Sequence, residues 1–131
     1  MESRWKNAEA RDYVSRYARD GVNEDVALRV YTTRLLGSDP RLVLHGGGNT
    51  SVKTSVLDQL GDEAPVLCVK GSGWDMGHIE PAGLPAVRMD VLRRLQAIDA
   101  LSDEVMVSIQ RTALIDPTSP NPPVETLLPA F

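Results

Sequence analysis

The first third of the chain has the hydrophobic spacing of two amphipathic helices. Residues 7–18 contain neither proline nor glycine, and Tyr13 and Tyr17 share one helical face because they are four residues apart. After an Asp-Gly stop signal, Asn23 is the expected N-cap of a second helix that closes at Gly37. The inward face of this helix is predicted from residues with the 3.6-residue period: Val26, Ala27, Val30, Tyr31 and Leu35. We interpret both helices as ordinary packing elements on a sheet.

The middle of the chain changes to a pattern that is typical of strands. Short apolar runs at 42–44 and 66–69 lie on either side of residues 50–56, in which β-branched residues alternate with others. We expect these three segments to be strands of one sheet, with the glycine-rich turns at strand ends.

The helical period returns in the last third. One helix is predicted over about 84–97, with an inward face of Val87, Val91, Leu92 and Leu95. A second is predicted from the N-cap Ser102 to about Leu114. Four prolines predict a loop over 116–123. A new helix-like segment then begins shortly before Phe131, so we expect a domain that is truncated at its C-terminus.

Composition restricts the classes of function. The chain has 131 residues, 42% of them apolar and 24% charged, which suits one globular domain over 1–131. A net charge of -4 argues against non-specific binding to nucleic acid or anionic membranes. No apolar run reaches membrane-span length, and the N-terminus does not resemble a secretory signal. The single cysteine, Cys68, fits a reducing compartment, so we expect a cytoplasmic protein.

The strongest chemical signal is the segment 45–51, His-Gly-Gly-Gly-Asn-Thr-Ser. Consecutive glycines let the backbone approach a ligand, and its N–H groups can hold an anion together with the Asn49 amide and the Thr50 and Ser51 hydroxyls. The segment does not match the P-loop motif, because no lysine follows a glycine at the required position. The pattern G-x-G-x-x-G ends on Ser51 and leads into a strand instead of a helix. An anion-binding loop is therefore favoured, with a tight strand-to-strand turn as the alternative.

A second glycine-containing loop, residues 70–73, follows an apolar strand. It supplies the Lys70 cation, the Ser72 hydroxyl and two glycines, which suit a second wall for a phosphate. A plain turn is the alternative for this segment alone. Two such loops at the ends of neighbouring strands are more informative than either one.

The other reactive residue types carry weaker signals. His45 and His78 are far apart and belong to no paired zinc-ligand motif. Cys68 lies in an apolar run, which favours a buried small hydrophobe over a nucleophile. Glu125 follows the proline-rich loop, where it could act as a general acid or base over a pocket, and a surface charge is the alternative.

Four blocks, in order, resemble the class II aldolase/adducin family, above all the aldolase part of bifunctional rhamnulose-phosphate aldolase/dehydrogenase proteins. The blocks are 46–53 (GGGNTSVK), 69–76 (VKGSGWDM), 79–88 (IEPAGLPAVR) and 120–128 (PNPPVETLL). The resemblance runs from about Glu24 to the last residue. It implies a three-layer α/β/α fold with helices on both sides of a central mixed sheet.

The resemblance also implies a reaction. Enzymes of this family reversibly cleave a ketose phosphate into dihydroxyacetone phosphate and an aldehyde, with a bound zinc ion as Lewis acid. By position, Gly48, Asn49, Ser72 and Gly73 match the phosphate-binding loops, and Glu125 matches the acidic residue that shuttles the proton. The implied partner is a small sugar phosphate, and the complete protein is expected to be a homo-oligomer, a tetramer in this family.

The sequence also departs from the family pattern. The His-x-His pair and the third histidine that bind zinc should follow the Glu125 helix, and they are absent from this chain. Pro123 and Val124 stand where a serine is common, and Pro129 would disturb the helix. We therefore expect a chain that keeps a phosphate cradle and has no aldolase activity alone. A non-catalytic adducin-like assembly or binding module is the alternative, and an NAD-binding domain is a weaker third, because the strand-turn-helix context is missing.

Overall fold

The computed structural model describes residues 5–38, 50–71, 74–98, 102–120 and 122. In chain order the elements are α1 (Asn7–Ala18), α2 (Glu24–Gly37), β1 (Ser51–Leu57), β2 (Glu63–Val69), β3 (Ala86–Arg88), α3 (Met89–Gln96) and α4 (Asp103–Thr112). Two short 3₁₀ turns, Met76–His78 and Pro81–Gly83, lie between β2 and β3. None of the helices in these ranges is long and apolar enough to cross a membrane.

The described strands form one antiparallel sheet in the order β1-β2-β3. β1 and β2 form a hairpin in which Ser51 lies opposite Val69. On the other side of β2, Val87 of β3 lies opposite Leu67 and also forms a bridge with Leu114, beyond α4. The strand predicted at 42–44 falls outside the described residues.

β2 is buried on both faces, and its alternating side chains separate two cores. Val66 and Cys68 pack with α1, with α2 and with the segment that connects β2 to β3. Leu67 and Val69 pack with α3 and with Leu114, on the opposite face. Helices therefore cover both faces of the sheet, which confirms the three-layer architecture predicted from the sequence.

Local signals set the helix boundaries. The predicted helix over 7–18 is confirmed as α1, and α2 ends at Gly37 as expected. Asn23 caps α2 by accepting a hydrogen bond from Val26 N at 2.8 Å, and its amide nitrogen donates to Ser55 O at 3.0 Å. This residue therefore both starts the helix and attaches it to β1. Ser102 caps α4 in the predicted way.

The helix predicted over 84–97 was wrong in its first turn. Residues 86–88 form β3, and the helix begins only at Met89. Ala86 O accepts from Ile115 N, and Arg88 N donates to Ala113 O, both at 3.0 Å. Pairing on both edges of this short strand thus overrides its helical spacing.

The helix predicted from Ser102 to about Leu114 also ends earlier than expected. α4 stops at Thr112, because Leu114 is drawn into the bridge with Val87. The loop predicted over 116–123 is confirmed for 116–120 and Pro122, which lie in neither helix nor strand.

Candidate functional site

The β1–β2 hairpin brings together, at one end of the sheet, the described residues that adjoin the two glycine-containing segments. Thr50 immediately precedes β1 and Lys70 immediately follows β2, and Lys70 N donates to Thr50 O at 2.9 Å. Because the pairing is antiparallel, the chain arrives from 45–49 and departs toward 72–73 at neighbouring positions. The flanking residues are thus side by side, as expected for loops at the ends of neighbouring strands.

The residues assigned by resemblance lie outside the described ranges. These are Gly48, Asn49, Ser72, Gly73 and Glu125, and their roles stay predictions. The candidate site is therefore built from the described residues that adjoin them.

Lys70 places a positive charge at this end of the hairpin. The residue is only 6% exposed, although lysine normally lies in water. No carboxylate in the described part of the chain forms an ion pair with it. A lysine with a buried stem keeps its ammonium close to the end of the strand, where an anion is a suitable partner for it. Lys70 is therefore a suitable residue to complement the charge of a bound anion.

A second polar contact at this end comes from helix α2. The Oγ1 atoms of Thr33 and Thr50 are 2.7 Å apart, and Thr33 is completely buried. Sequence reasoning missed this contact, although a signal was present: Thr33 lies three residues after Val30, on the inward face of α2. A polar residue in an apolar stripe marks a place where a partner must be found.

The chain around the second segment is held by close backbone packing. Gly71 N donates to Gly83 O at 2.8 Å. Gly83 in turn lies beneath the Trp74 ring, so closely that a Cβ atom on this glycine would be 2.7 Å from Trp74 Cδ2. Gly71 and Trp74, which flank residues 72–73, are therefore both positioned by the turn at Pro81–Gly83.

An acid–histidine pair lies just beyond this segment. Asp75 Oδ2 and His78 Nδ1 are 2.6 Å apart, and both side chains are largely exposed. The hydrogen bond with His78, and next that from Gly77 N, lowers the pKa of Asp75, and the charge of Lys70 acts in the same direction. An exposed pair of this kind contributes little to folding.

The described residues support neither a metal-binding site nor a nucleophilic cysteine. These ranges contain no group of three His, Cys, Asp or Glu side chains that could hold a metal ion, so they do not fit a zinc site. Cys68 is 2% exposed, and burial raises the pKa of its thiol to about 12. A buried, protonated thiol is a poor nucleophile. The interpretation of Cys68 as a small core residue is confirmed.

The comparisons with known proteins agree with this architecture. The chain is 41% identical over 102 residues to an uncharacterized oxidoreductase, YuxG, of Bacillus subtilis (strain 168), which covers 78% of the chain and 15% of that protein. The solved N-terminal class II aldolase domain of a conserved protein from Thermoplasma acidophilum matches the whole chain with a TM-score of 0.83 and 40% identity. No protein-family model matches.

The extent of these matches defines which part of a domain is present. The chain spans about half of the solved aldolase chain (55%) and a small fraction of the curated relative. The high TM-score over every residue of the chain shows a common fold, and the 40% identity exceeds what a likeness of fold alone provides. The chain is therefore a class II aldolase-like protein that corresponds to the N-terminal portion of such a domain.

Proposed function

We propose that this chain supplies the phosphate-binding part of a class II aldolase. The complete domain is an aldehyde-lyase that reversibly cleaves a ketose phosphate of the rhamnulose-1-phosphate type into dihydroxyacetone phosphate and an aldehyde. The observation that supports this most directly is the hydrogen bond from Lys70 N to Thr50 O, because it joins the ends of the strands that lead to the two glycine-containing segments.

The phosphate group is proposed to bind between these segments. Backbone N–H groups at Gly48 and Gly73, the Asn49 amide and the Ser72 hydroxyl are the proposed donors. Lys70 complements the negative charge from the adjoining end of β2. Donors of this kind form shorter and stronger hydrogen bonds to an ionised phosphate than to a neutral acceptor.

The proposed reaction is a retro-aldol cleavage. The hydroxyl on the carbon that leaves in the aldehyde half loses its proton and becomes the aldehyde carbonyl. The bonding electrons pass to the carbon of the dihydroxyacetone phosphate half, which then takes up a proton. Glu125 is proposed to accept the hydroxyl proton as general base and to deliver a proton to that carbon as general acid.

Zinc is proposed only for the complete domain. A zinc ion there would polarise the substrate oxygens as a Lewis acid. Since the described residues do not fit a zinc site, no step is assigned to them through the metal. The complete protein is further proposed to be a cytoplasmic homo-oligomer.

Calorimetric titration of the 131-residue chain with dihydroxyacetone phosphate tests the phosphate-binding role. We expect saturable binding that weakens about tenfold or more in Lys70→Met, since a charged hydrogen bond contributes about 1.5–3 kcal/mol. Lys53→Met is the matched control, because Lys53 is an exposed lysine on β1. Affinity within about twofold of the unsubstituted chain is expected there.

Two results would contradict the proposal. One is the absence of dihydroxyacetone phosphate binding to the folded chain, which would favour the alternative of an assembly or binding module. The other is an equal loss of affinity in Lys70→Met and Lys53→Met, which would show only a general effect of net charge.

A further inference from the structure

Thr33 uses its hydroxyl in an unusual way for a residue in the middle of a helix. Helical threonines commonly hydrogen-bond to a carbonyl of the preceding turn, as the neighbouring Thr32 does to Arg29 O at 3.2 Å. Thr33 Oγ1 instead lies 2.7 Å from Thr50 Oγ1, across the boundary between α2 and the sheet. Because Thr33 is fully buried, this contact satisfies a hydroxyl that no water reaches.

Thr50 is held from two directions. Its carbonyl oxygen accepts from Lys70 N, which fixes the backbone against β2. That bond leaves the Thr50 side chain free to rotate among its staggered positions. The contact with Thr33 selects one of them, so the hydroxyl of a half-buried residue acquires a defined direction.

It also matters which of the two hydroxyls donates the hydrogen bond. Either hydroxyl can be the donor in this pair. When Thr33 donates, the Thr50 oxygen is an acceptor and its own O–H remains available for another acceptor. A hydroxyl that accepts one hydrogen bond is a better donor in the next, because the two bonds polarise each other. An anion is the acceptor that gains most from such a donor.

We propose that Thr33 is a positioning residue for phosphate binding, which acts by orienting the Thr50 hydroxyl beside Lys70. This inference rests on the proposed function, since it assigns a role at the same end of the β1–β2 hairpin. Thr33 itself does not touch the ligand. It lies on the inward face of α2, and its influence on the ligand passes through Thr50.

The test is a titration with dihydroxyacetone phosphate on a small set of variants. Thr33→Val keeps the shape of the side chain and removes the hydroxyl, so affinity should fall about fivefold, the effect of one hydrogen bond. Thr33→Ser restores the hydroxyl and should bind within about twofold of the unsubstituted chain. Thr32→Val is the control, because that hydroxyl bonds only within its own helix. It should leave the affinity unchanged.

A double-mutant cycle distinguishes action through Thr50 from a general structural effect. Thr50→Val should lower the affinity, and Thr33→Val added to it should lower it no further, because the contact is already lost. Additive losses would overturn the proposal, and so would a loss in Thr32→Val equal to that in Thr33→Val. If valine at position 33 prevents folding, Thr33→Ala compared with Thr33→Ser isolates the same hydroxyl.

The outcomes separate this inference from the proposed function. If the unsubstituted chain binds dihydroxyacetone phosphate and Thr33→Val binds it equally well, the role of Thr33 is wrong and the phosphate site stands. If the folded, unsubstituted chain does not bind dihydroxyacetone phosphate, the proposed function fails, and the positioning role fails with it.

Discussion

Arg34 in α2 donates through Nε to the carbonyl oxygen of Ile79 at 2.6 Å. Its two terminal nitrogens donate to the hydroxyls of Tyr13 at 3.2 Å and Tyr17 at 3.3 Å, both in α1. The guanidinium carbon also lies 5.5 Å from the centre of the Tyr13 ring. One side chain thus connects both helices of this layer with the segment that leads from the candidate site to β3.

Removal of the Arg34 guanidinium should destabilise the fold. Arg34→Met keeps an apolar stem but leaves the Ile79 carbonyl and two hydroxyls without this donor, so we expect a loss of about 2–3 kcal/mol in the free energy of unfolding. Arg34→Lys retains a cation without the planar fork and should lose less. Urea denaturation measures both. Arg16→Met, which removes an exposed ion pair with Asp12, should leave the midpoint nearly unchanged. An unchanged midpoint in Arg34→Met would contradict the assigned role.

Gly37 provides a test in which two physical effects have opposite signs. Alanine at the end of a helix is ordinarily favoured over glycine, by up to about 1 kcal/mol. A Cβ atom on Gly37, however, would overlap Gly77 N and lie 2.5 Å from the Met76 carbonyl carbon. These are backbone atoms that cannot rotate away, so Gly37→Ala should destabilise the chain by about 2 kcal/mol.

Gly21→Ala is a suitable comparison for this substitution. Gly21 has a φ of 79°, and a Cβ atom on it would meet no described atom within 4 Å. Only backbone strain therefore opposes this change, at a cost of about 1 kcal/mol. Thermal unfolding should rank Gly37→Ala below Gly21→Ala. A stabilised Gly37→Ala would show that α2 does not pack against the turn at Met76–His78.

Elements specified by local chemistry could be predicted from the sequence. The helix α2 has its N-cap Asn23 and its terminal Gly37 in the chain itself, and β2 follows from a run of apolar residues. β3 could not be predicted in this way. Its three residues carry a helical spacing, and their conformation is set by Leu67 on one side and Leu114 on the other, both distant in sequence.

In the candidate site, too, the features with a local sequence signal could be predicted and those that depend on tertiary packing could not. The glycine-containing segments were recognisable, because glycine repeats next to hydroxyl and amide residues are a local signal. That Lys70 lies beside Thr50 depends on the register of the hairpin. The contact between Thr33 and Thr50 depends further on how α2 packs on the sheet, which no local pattern encodes.

Burial of Cys68 should make stability fall at alkaline pH. The folded thiol has a pKa of about 12, and an unfolded thiol ionises near pH 8.5. Between these values the unfolded state releases a proton that the folded state keeps, so the free energy of unfolding decreases as pH rises. We expect about 1–2 kcal/mol of loss between about pH 8 and pH 10, measured by urea denaturation.

Cys68→Ala shows whether this loss belongs to the thiol. The variant should be less stable overall, because it loses a buried sulfur atom, but its stability should fall less between the same two pH values. The native chain should also react with iodoacetamide only after unfolding in urea. Rapid alkylation of the folded chain would contradict the burial of this side chain.

Asp58 should make the hairpin sensitive to acid. Its carboxylate accepts from Asp62 N at 3.0 Å and Leu60 N at 2.9 Å within the β1–β2 turn, and from Arg88 Nη2 at 3.2 Å. These bonds, that from Asp62 N above all, lower the pKa of Asp58. The ionised form therefore stabilises the fold above the unfolded pKa of about 3.9, and this stabilisation is lost as pH falls through the lower, folded value.

Asp58→Asn should accordingly lower the melting temperature at neutral pH and reduce the further decrease between about pH 5 and pH 3. Asp20→Asn, at an exposed position in the turn after α1, provides the control and should retain the acid dependence of the unsubstituted chain. Circular dichroism at each pH gives the comparison. If Asp58→Asn and the unsubstituted chain lose melting temperature equally on acidification, the carboxylate does not hold the hairpin through its charge, and the ion pair with Arg88 at the end of β3 adds nothing measurable to stability.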